Sequence, residues 1–385
     1  MDLPVEIISR SDKLEAAVKE IEKSGIIALD IESDSRHRYP EQLCLIQLAT
    51  PRNVYIIDTL AVSDISPLRS VLFSRDIIKV FHEASGDIRS LDRHYGFRVR
   101  NIFDTAVAAR FTGNARNGLE NVIHGLLGIS INKSKRLQRS DWGRRPLSDE
   151  ALEYAATDVR HLIALREALI QRLKALGRET WVTEECDRLE DLRYEAPDPE
   201  TFYHSIKGAG KLKGTALAVL RELYLFREGV ARRRNKPPYY IIPDPALVYL
   251  AAHPGADLSQ VPGLGGKILQ RLGQGIREAI KEGLAAPPVY RESRRKTSQN
   301  REDVQQQPRL TRRQREKNLE SLKEWRAKTG TSFSLESSLI WPLVSLARLS
   351  RNPDTLETEL MSDDLRLWQK GRFSTSLAEF LESLR

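Results

Sequence analysis

Cysteine is scarce in this chain and long apolar runs are absent, and each of these features excludes a class of protein. Only Cys44 and Cys186 occur in 385 residues, too few for a disulfide framework, so a reducing, cytoplasmic location is expected. No apolar run approaches the roughly 20 residues that a membrane helix needs. Residues 1–6 carry acids where a signal peptide would be basic. The sequence therefore predicts neither a membrane protein nor a disulfide-bonded one.

Glycine fingerprints for nucleotides are missing as well. Residues 262–267 (Pro-Gly-Leu-Gly-Gly-Lys) precede a predicted helix, but they match neither G-x-x-x-x-G-K-[ST] nor G-x-G-x-x-G. We therefore expect no nucleotide cofactor, and the pattern excludes a Rossmann-type oxidoreductase. This segment is either a plain turn and helix cap or a phosphate contact that includes Lys267.

Positive charge is in excess. Lys and Arg number 61 against 53 Asp and Glu, which gives a net charge of +8 and a pI near 9.4 and favours a polyanionic partner. The polar stretch 132–145 is either a solvated loop or a phosphate-contacting loop, and its place just before the predicted helix of Tyr154 favours the second. It contains six basic residues: Lys133, Lys135, Arg136, Arg139, Arg144 and Arg145.

Four acidic residues and one tyrosine form the most informative pattern. Asp30 and Glu32 end an apolar run that is typical of a strand, so their side chains point to one face. Asp87 lies in a later predicted helix, and Tyr154 and Asp158 lie four apart on one face of another. If these elements converge, the like charges raise one another's pKa unless cations offset them. Carboxylate oxygens suit Mg²⁺ or Mn²⁺ and the two-metal hydrolysis of a phosphodiester.

Composition divides the chain into four parts. Strands followed by helices predict an α/β domain with a mixed sheet at the start. Residues 291–317 hold ten Lys or Arg against four Asp or Glu, a composition typical of a mobile linker. Residues 322–326 align with 223–227, which suggests an internal duplication. We divide the chain into an α/β domain (1–205), a helical domain (211–285), a basic linker (286–317) and a second helical unit (318–385).

The order Asp-x-Glu, then Asp, then Tyr-x-x-x-Asp resembles the DEDD exonuclease superfamily, tyrosine subtype. A histidine-subtype member has a His five residues before the last Asp, where this chain has Glu153, whereas Tyr154 lies four before. Residues 126–159 are also similar to the bacterial ribonuclease D family within that superfamily. The resemblance covers nearly the whole chain, with a HRDC domain over 211–282 and a degenerate HRDC-like domain at the end.

This resemblance implies a ribonuclease H-like exonuclease domain with a mixed sheet, followed by two all-α HRDC-type domains. It implies 3′→5′ hydrolysis of RNA that releases nucleoside 5′-monophosphates with two divalent cations, Mg²⁺ or Mn²⁺. Structured RNAs, tRNA precursors foremost, are the expected substrates. The HRDC-type domains are expected to tether them and so raise the local concentration of a substrate end.

The resemblance also implies the catalytic residues, which are Asp30, Glu32, Asp87, Tyr154 and Asp158. Asp30 is expected to bridge two metal ions about 3.5–4 Å apart. Glu32 and Asp158 would complete the shell of one ion, and Asp87 would hold the other. Tyr154 has an ordinary pKa of about 10, so we expect it to orient the attacking water rather than act as a base.

Other interpretations stay open at this point. Related catalytic domains occur in DNA repair proteins, so a 3′→5′ DNA exonuclease is the nearest alternative. A non-catalytic scaffold that binds nucleic acid would usually have lost an acidic ligand, whereas all four are present. Asp104 is either a further acidic residue of the site or the cap of the helix that follows it. His82 is not expected to be catalytic.

Overall fold

The computed structural model describes residues 3–113, 116–131, 134–291 and 310–384. Lys133 and most of the predicted linker, residues 292–309, lie outside the described residues. Within the described ranges, none of the helices is both long and apolar enough to cross a membrane.

A six-stranded mixed sheet forms the centre of the first unit, as the sequence predicts. The strands are β1 (Val5–Ile8), β2 (Ile26–Ser33), β3 (Leu43–Ala49), β4 (Val54–Asp58), β5 (Ile78–Phe81) and β6 (Ile102–Asp104). Their order across the sheet is β1-β4-β3-β2-β5-β6. β3 pairs antiparallel with both β2 and β4, and the other neighbours are parallel. β2, which carries Asp30 and Glu32, is therefore a central strand.

Helices cover both faces of this sheet. They are α1 (Ser11–Ile21), α2 (Leu68–Phe73), α3 (Ser85–Tyr95), α4 (Thr105–Phe111), α5 (Leu119–Leu127), α6 (Lys135–Gln138), α7 (Asp149–Arg160), α8 (Leu162–Leu176) and α9 (Glu179–Leu189). α1, α2 and α3 bury their apolar sides on one face, and α4, α5, α7 and α8 bury theirs on the other. The sequence predicts one helix over 149–173, whereas the structure has two, with His161 between them.

The second unit is a separate helical bundle with its own apolar core. Its helices are α10 (Thr215–Arg234), α11 (Pro238–Ile241), α12 (Asp244–Ala252) and α13 (Gly266–Ala285). Asn235 ends α10 in the left-handed conformation, at a φ of 47°. The sequence predicts that residues 262–267 precede a helix; α13 begins at Gly266, so Lys267 lies in its first turn.

The third unit repeats the order of the second, a long helix, a single turn, a short helix and a final long helix, and has one further short helix before the last one. Its helices are α14 (Arg312–Ser332), α15 (Ser337–Ile340), α16 (Leu343–Leu349), α17 (Leu356–Leu360) and α18 (Leu367–Glu382). This order agrees with the predicted duplication. The predicted linker is too long, because α14 begins at Arg312 rather than after Lys317. A capping box between Thr311 and Gln314 starts the helix there.

The two helical units contact the first unit in different ways. The third unit shares one apolar cluster with it, and Trp181 of α9 stacks on Trp368 of α18 with ring centroids 4.9 Å apart. The second unit contacts the loop after β2. There Asn235 Oδ1 accepts from the Tyr39 N–H at 3.0 Å, and the Arg232 guanidinium lies 5.4 Å from the centroid of the Tyr39 ring.

Candidate active site

Asp30 and Glu32 lie on one face of β2. The antiparallel register places Asp30 opposite Gln47 and Glu32 opposite Leu45 of β3, and the register shifts just after Glu32. Such an irregularity bends a strand and is common beside active sites. α7 and α8 pack on this face of the sheet, so both carboxylates face these two helices.

α7 brings Tyr154 and Asp158 to the same place. Ser148 caps the helix, because its hydroxyl oxygen accepts from the Ala151 N–H at 3.2 Å. Tyr154 and Asp158 are one turn apart and nearly fully buried. The Tyr154 ring lies against Trp142, with ring centroids 6.0 Å apart. Its hydroxyl donates to the Asp158 carboxylate, which fixes the orientation of the phenol.

One cavity of about 330 Å³ collects these side chains. Asp30, Glu32, Tyr154 and Asp158 all line it, so four of the five predicted catalytic residues share one cavity. Sites for small ligands have volumes of about 300–1,000 Å³, so a single terminal nucleotide is a fitting occupant. The other lining residues are Ile31, His82, Glu83, Gly118, Leu119, Gln138 and Leu162.

Asp87, the fifth predicted residue, lies in the first turn of α3 and is not among the residues that line the cavity. The turn before α3 is unusual, because Glu83 has a φ of 68°, in the left-handed region that non-glycine residues rarely adopt. Asp104 holds this turn: its carboxylate accepts from the N–H groups of Glu83 at 3.1 Å and Ala84 at 2.8 Å. The same carboxylate caps α4 by accepting from the Ala106 N–H at 2.8 Å. The capping interpretation of Asp104 is therefore confirmed, and it extends to α3.

The charges around Asp87 are crowded. Burial raises the pKa of Asp87 well above its ordinary value, and the nearby carboxylates of Asp30, Asp104 and Glu83 raise it further. The Asp87 carboxylate therefore lies close enough to Asp30 to repel it. This is the electrostatic conflict that the sequence pattern predicts for a site without cations.

Tyr154 is held in its protonated form. Burial raises the pKa of its phenol strongly, and the negative charges of Asp158, Glu32 and Asp30 add to the effect. Its hydroxyl therefore carries its proton at neutral pH and cannot serve as a general base. This agrees with the predicted role of orienting a water molecule.

The side chains do not form a ready-made metal cage. In the parts of the chain that the structure describes, no three His, Cys, Asp or Glu side chains stand close enough together to hold an ion. The donors nevertheless fit a hard divalent cation, since carboxylate and phenol oxygens dominate the polar lining of the cavity. A cation would also offset the repulsion that raises the pKa of Asp87.

The predicted basic stretch lies beside this cavity. Gln138 of α6 lines the cavity directly. The loop after β2 holds the stretch in place, because Arg38 donates to Asp141 at 2.5 Å and His37 Nε2 lies 3.0 Å from the Arg139 carbonyl oxygen. Four of its predicted phosphate contacts are exposed, namely Lys135, Arg136, Arg139 and Arg144, and Lys267 of the second unit is exposed as well.

Arg145 is half-buried, unlike these exposed basic neighbours. Its Nε and Nη2 donate to the Asp58 carboxylate at 2.6 and 2.7 Å, and its Nη1 donates to the Trp142 carbonyl at 2.6 Å. The guanidinium is therefore used to fasten the loop to β4. These bonds give no support to the prediction that Arg145 contacts nucleic acid.

Sequence reasoning misses several lining residues. Leu119 and Leu162 form apolar walls, and Glu83 is absent from the predicted site although it follows His82 in the second motif. His82 does line the cavity, and its Nδ1 lies 2.9 Å from the Thr105 hydroxyl. Adjacency to Asp87 is a signal for Glu83, but no local signal marks the two leucines.

Two family models and several relatives match the chain. Residues 5–174 match the model of the 3′-5′ exonuclease domain, and residues 216–280 match that of the HRDC domain. Ribonuclease D of Gluconacetobacter diazotrophicus is 33% identical over 287 residues, which are 73% of this chain and 72% of that protein. Ribonuclease D of Zymomonas mobilis is 35% identical over 289 residues, 73% of each. The chain belongs to the ribonuclease D family.

Membership of the ribonuclease D family makes the chain a 3′→5′ exoribonuclease. The family depends on divalent metal ions and acts on nucleic acids. The fold agrees: RNase D of Escherichia coli, an exoribonuclease involved in structured RNA processing, superposes with a TM-score of 0.71. That likeness covers 100% of this chain and 99% of the other at 23% identity. The predicted ribonuclease D resemblance and the α/β class are thereby confirmed.

Proposed function

We propose that this exoribonuclease trims the 3′ ends of structured RNAs, with tRNA precursors as the main class, in the cytoplasm. It would release nucleoside 5′-monophosphates by two-metal hydrolysis. The observation that supports the proposal most is the cavity that collects Asp30, Glu32, Tyr154 and Asp158. Asp87 belongs with them, because the negative charge of Asp30 raises the pKa of Asp87.

The metal ligands follow from the positions of the carboxylates. When bound, two divalent cations, Mg²⁺ or Mn²⁺, would supply an activated water and stabilise charge on the leaving 3′ oxygen. Asp30 shares the cavity with Glu32 and Asp158, and its charge also raises the pKa of Asp87, so it interacts with both groups of acids. Asp30 would therefore contact both ions, Glu32 and Asp158 would contact one, and Asp87 would contact the other.

Tyr154 would orient the attacking water. Its proton is donated to Asp158, and the lone pairs of its oxygen can accept from an O–H group of the water. Its ring is fixed against Trp142, which restricts the direction of that hydrogen bond. Leu119 and Leu162 would exclude bulk water from the terminal nucleotide.

Exposed basic and aromatic side chains would guide the RNA. Lys135, Arg136, Arg139 and Arg144 are the candidates beside the cavity. In the second unit, Tyr239 and Tyr240 are 49% and 61% exposed. Tyr239 donates to the Arg36 carbonyl at 3.2 Å, so the pair lies next to the loop after β2. Exposed aromatic rings next to basic residues are typical of surfaces that stack single-stranded bases.

Tyr240→Ala tests that surface. We expect it to weaken binding of an RNA with a single-stranded 3′ extension, because a stacked base contributes about 1–3 kcal/mol. Turnover at saturating RNA should stay unchanged, since Tyr240 lies outside the cavity. Filter binding with extended and blunt RNAs measures the effect. If the variant and the wild type bind both RNAs with equal affinity, Tyr240 does not contact the single-stranded extension.

The catalytic proposal is tested by product analysis on matched RNA and DNA oligonucleotides. We expect Mg²⁺ or Mn²⁺ to support release of nucleoside 5′-monophosphates from the RNA, and Asp30→Asn to abolish this release while RNA affinity is retained. Faster cleavage of the DNA would favour the alternative of a DNA exonuclease. Nucleoside 3′-monophosphates as products would contradict the two-metal reaction.

A further inference from the structure

Gln47 is an unusual residue for the interior of a β-sheet. It lies in the middle of β3 and its side chain is completely buried. Neither its Nε2 nor its Oε1 has a hydrogen-bond partner among the residues that the structure describes. A buried amide without partners destabilises a fold, because it loses its hydrogen bonds to water on folding and forms none within the protein.

The sheet register points this amide at the active site. Gln47 is paired directly with Asp30 of β2, and paired residues of antiparallel strands present their side chains on the same face. On its other side Gln47 is paired with Ile56 of β4, which offers no polar group in its side chain. Asp30 is therefore the polar side chain directly across the sheet from Gln47.

Other neighbours on this face do not explain the glutamine. The adjoining pairs are Ala28 with Ala49 and Glu32 with Leu45, so Glu32, on the diagonal, is the only other polar side chain in these three pairs. α7 covers this face, and Trp142, which packs against Tyr154, is buried with an Nε1 that has no hydrogen-bond partner within the described part of the chain. A methionine of nearly the same volume would fill such a position without a polar group.

We propose that Gln47 is a positioning residue for the catalytic centre. Its side-chain amide would donate to the Asp30 carboxylate when divalent cations are bound, and would hold that carboxylate in the orientation that bridges them. The inference rests on the proposed two-metal function. Hydrogen bonds to metal-ligating carboxylates orient these ligands, and their loss typically lowers metal affinity or activity by about 10–100-fold. A carboxylate offers about four lone-pair sites, so Asp30 can serve the ions and the amide together.

The proposal predicts opposite changes in the two states of the protein. In Gln47→Met the metal-free protein should melt at a higher temperature than wild type, because an unpaired amide is removed. The rise in melting temperature on adding Mn²⁺ should be smaller, and Mn²⁺ affinity by calorimetry should fall by about 10–100-fold. kcat should fall by a similar factor, with little change in KM.

Gln369 provides a matched control. It is also buried, in α18 of the third unit, but its Nε2 donates to the Leu339 carbonyl at 2.7 Å. Gln369→Met should therefore lower the melting temperature of the metal-free protein and leave the Mn²⁺ response unchanged. Gln47→Leu is the second variant: it also removes the amide and keeps an apolar side chain of similar size, so it should lose Mn²⁺ affinity as Gln47→Met does.

The outcomes separate this inference from the function on which it rests. If wild type binds no Mn²⁺ and releases no nucleotide, the proposed function is wrong. If wild type binds Mn²⁺ and both Gln47 variants bind it equally well with unchanged kcat, Gln47 is a packing residue and the inference is overturned. It is also overturned if Gln47→Met fails to fold or is less stable without metal, because the amide must then have a partner that stabilises the fold.

Discussion

At the residue scale, burial and like charge raise the pKa of two of the predicted catalytic side chains above their ordinary values. Burial and the neighbouring carboxylates raise the pKa of Asp87. Burial and the negative charges of Asp158, Glu32 and Asp30 raise the pKa of Tyr154. The direction of each shift assigns a task. A cation would offset the negative charge that raises the pKa of Asp87, and a phenol that keeps its proton can position a water but not deprotonate it.

Asp87→Asn should stabilise the metal-free protein at neutral pH. The pKa of folded Asp87 is raised above its unfolded value, so this residue favours folding only at acid pH. That contribution is lost as pH rises through the folded pKa, and the ionised group then opposes folding. Thermal melts with a chelator at neutral and acid pH measure the effect.

The same variant should lose most turnover and most of the stabilisation by Mn²⁺, because an amide cannot supply negative charge. Asp76→Asn, at an exposed position outside the cavity, is the control and should change neither quantity. A metal-free Asp87→Asn protein that melts below wild type at neutral pH would contradict the repulsion described here.

Tyr154→Phe should lower kcat by about 10²-fold, the range for loss of a group that positions a proton or a water. RNA affinity should change little, because the ring still packs against Trp142. Tyr55→Phe is the control, since Tyr55 is also buried but its hydroxyl accepts from Asn53 at 3.2 Å. Weaker RNA binding with normal kcat would make Tyr154 a stacking residue instead.

At the scale of secondary structure, local patterns predict the elements, and long-range contacts do not follow from them. The apolar run at 26–32 predicts β2 and the shared face of Asp30 and Glu32, because alternation along a strand is a local property. The bond between Arg145 and Asp58 joins residues 87 positions apart, so composition can only suggest a basic loop. The unpaired amide of Gln47 becomes visible only with the register of β2 and β3.

The start of α14 shows a second limit. Residues 312–317 are so rich in charge that composition assigns them to the linker. The capping box at Thr311 and the pair between Arg312 and Glu316, with atoms 2.9 Å apart, make the same residues the first turns of a helix. Net composition is therefore misleading here, whereas the spacing of individual residues is informative.

Asp104 joins the starts of α3 and α4, and Asp104→Ala should weaken both. Its carboxylate accepts from the N–H groups of Glu83, Ala84 and Ala106, so the variant leaves these groups unpaired. We expect a loss of about 2 kcal/mol or more in the free energy of unfolding. We also expect a weaker Mn²⁺ response, because α3 carries Asp87.

Asp257→Ala is the matched control for this helix start. Asp257 also caps a turn, where it accepts from the Ser259 N–H at 3.0 Å, but it lies in the second unit. It should lose some stability and keep the full Mn²⁺ response. If Asp104→Ala is stabilised by Mn²⁺ as much as wild type is, Asp104 only caps the two helices and does not help to position Asp87.

At the scale of the whole molecule, the two helical units have different relations to the catalytic domain. The sequence predicts that the third unit tethers RNA, yet this unit shares an apolar cluster with α8 and α9. Arg178, just before α9, joins them too, because it donates to the Phe111 carbonyl at 2.7 Å and to the Phe333 carbonyl at 2.6 Å. Support of the catalytic fold is therefore part of what the third unit does.

A chain that ends after Tyr290 should melt at a lower temperature than the full chain. Truncation removes the third unit's half of the shared cluster and exposes the face of Trp181 against which Trp368 stacks. Trp368→Ala in the full chain should show the same direction, at about 3–5 kcal/mol. Leu367→Ala is the control, because Leu367 is 73% exposed. Equal melting temperatures for the truncated and full chains would show that the third unit does not stabilise the catalytic domain, and only its predicted role of binding RNA would remain.

The most direct measurement follows a 5′-labelled structured RNA with a short 3′ extension at single-nucleotide resolution. With Mg²⁺ or Mn²⁺ we expect products that shorten one nucleotide at a time from the 3′ end, together with free nucleoside 5′-monophosphates. A chelator or Asp30→Asn should stop this shortening while binding persists. Internal cleavage, or continued shortening by Asp30→Asn at the wild-type rate, would contradict the assignment of this cavity as a two-metal exonuclease site.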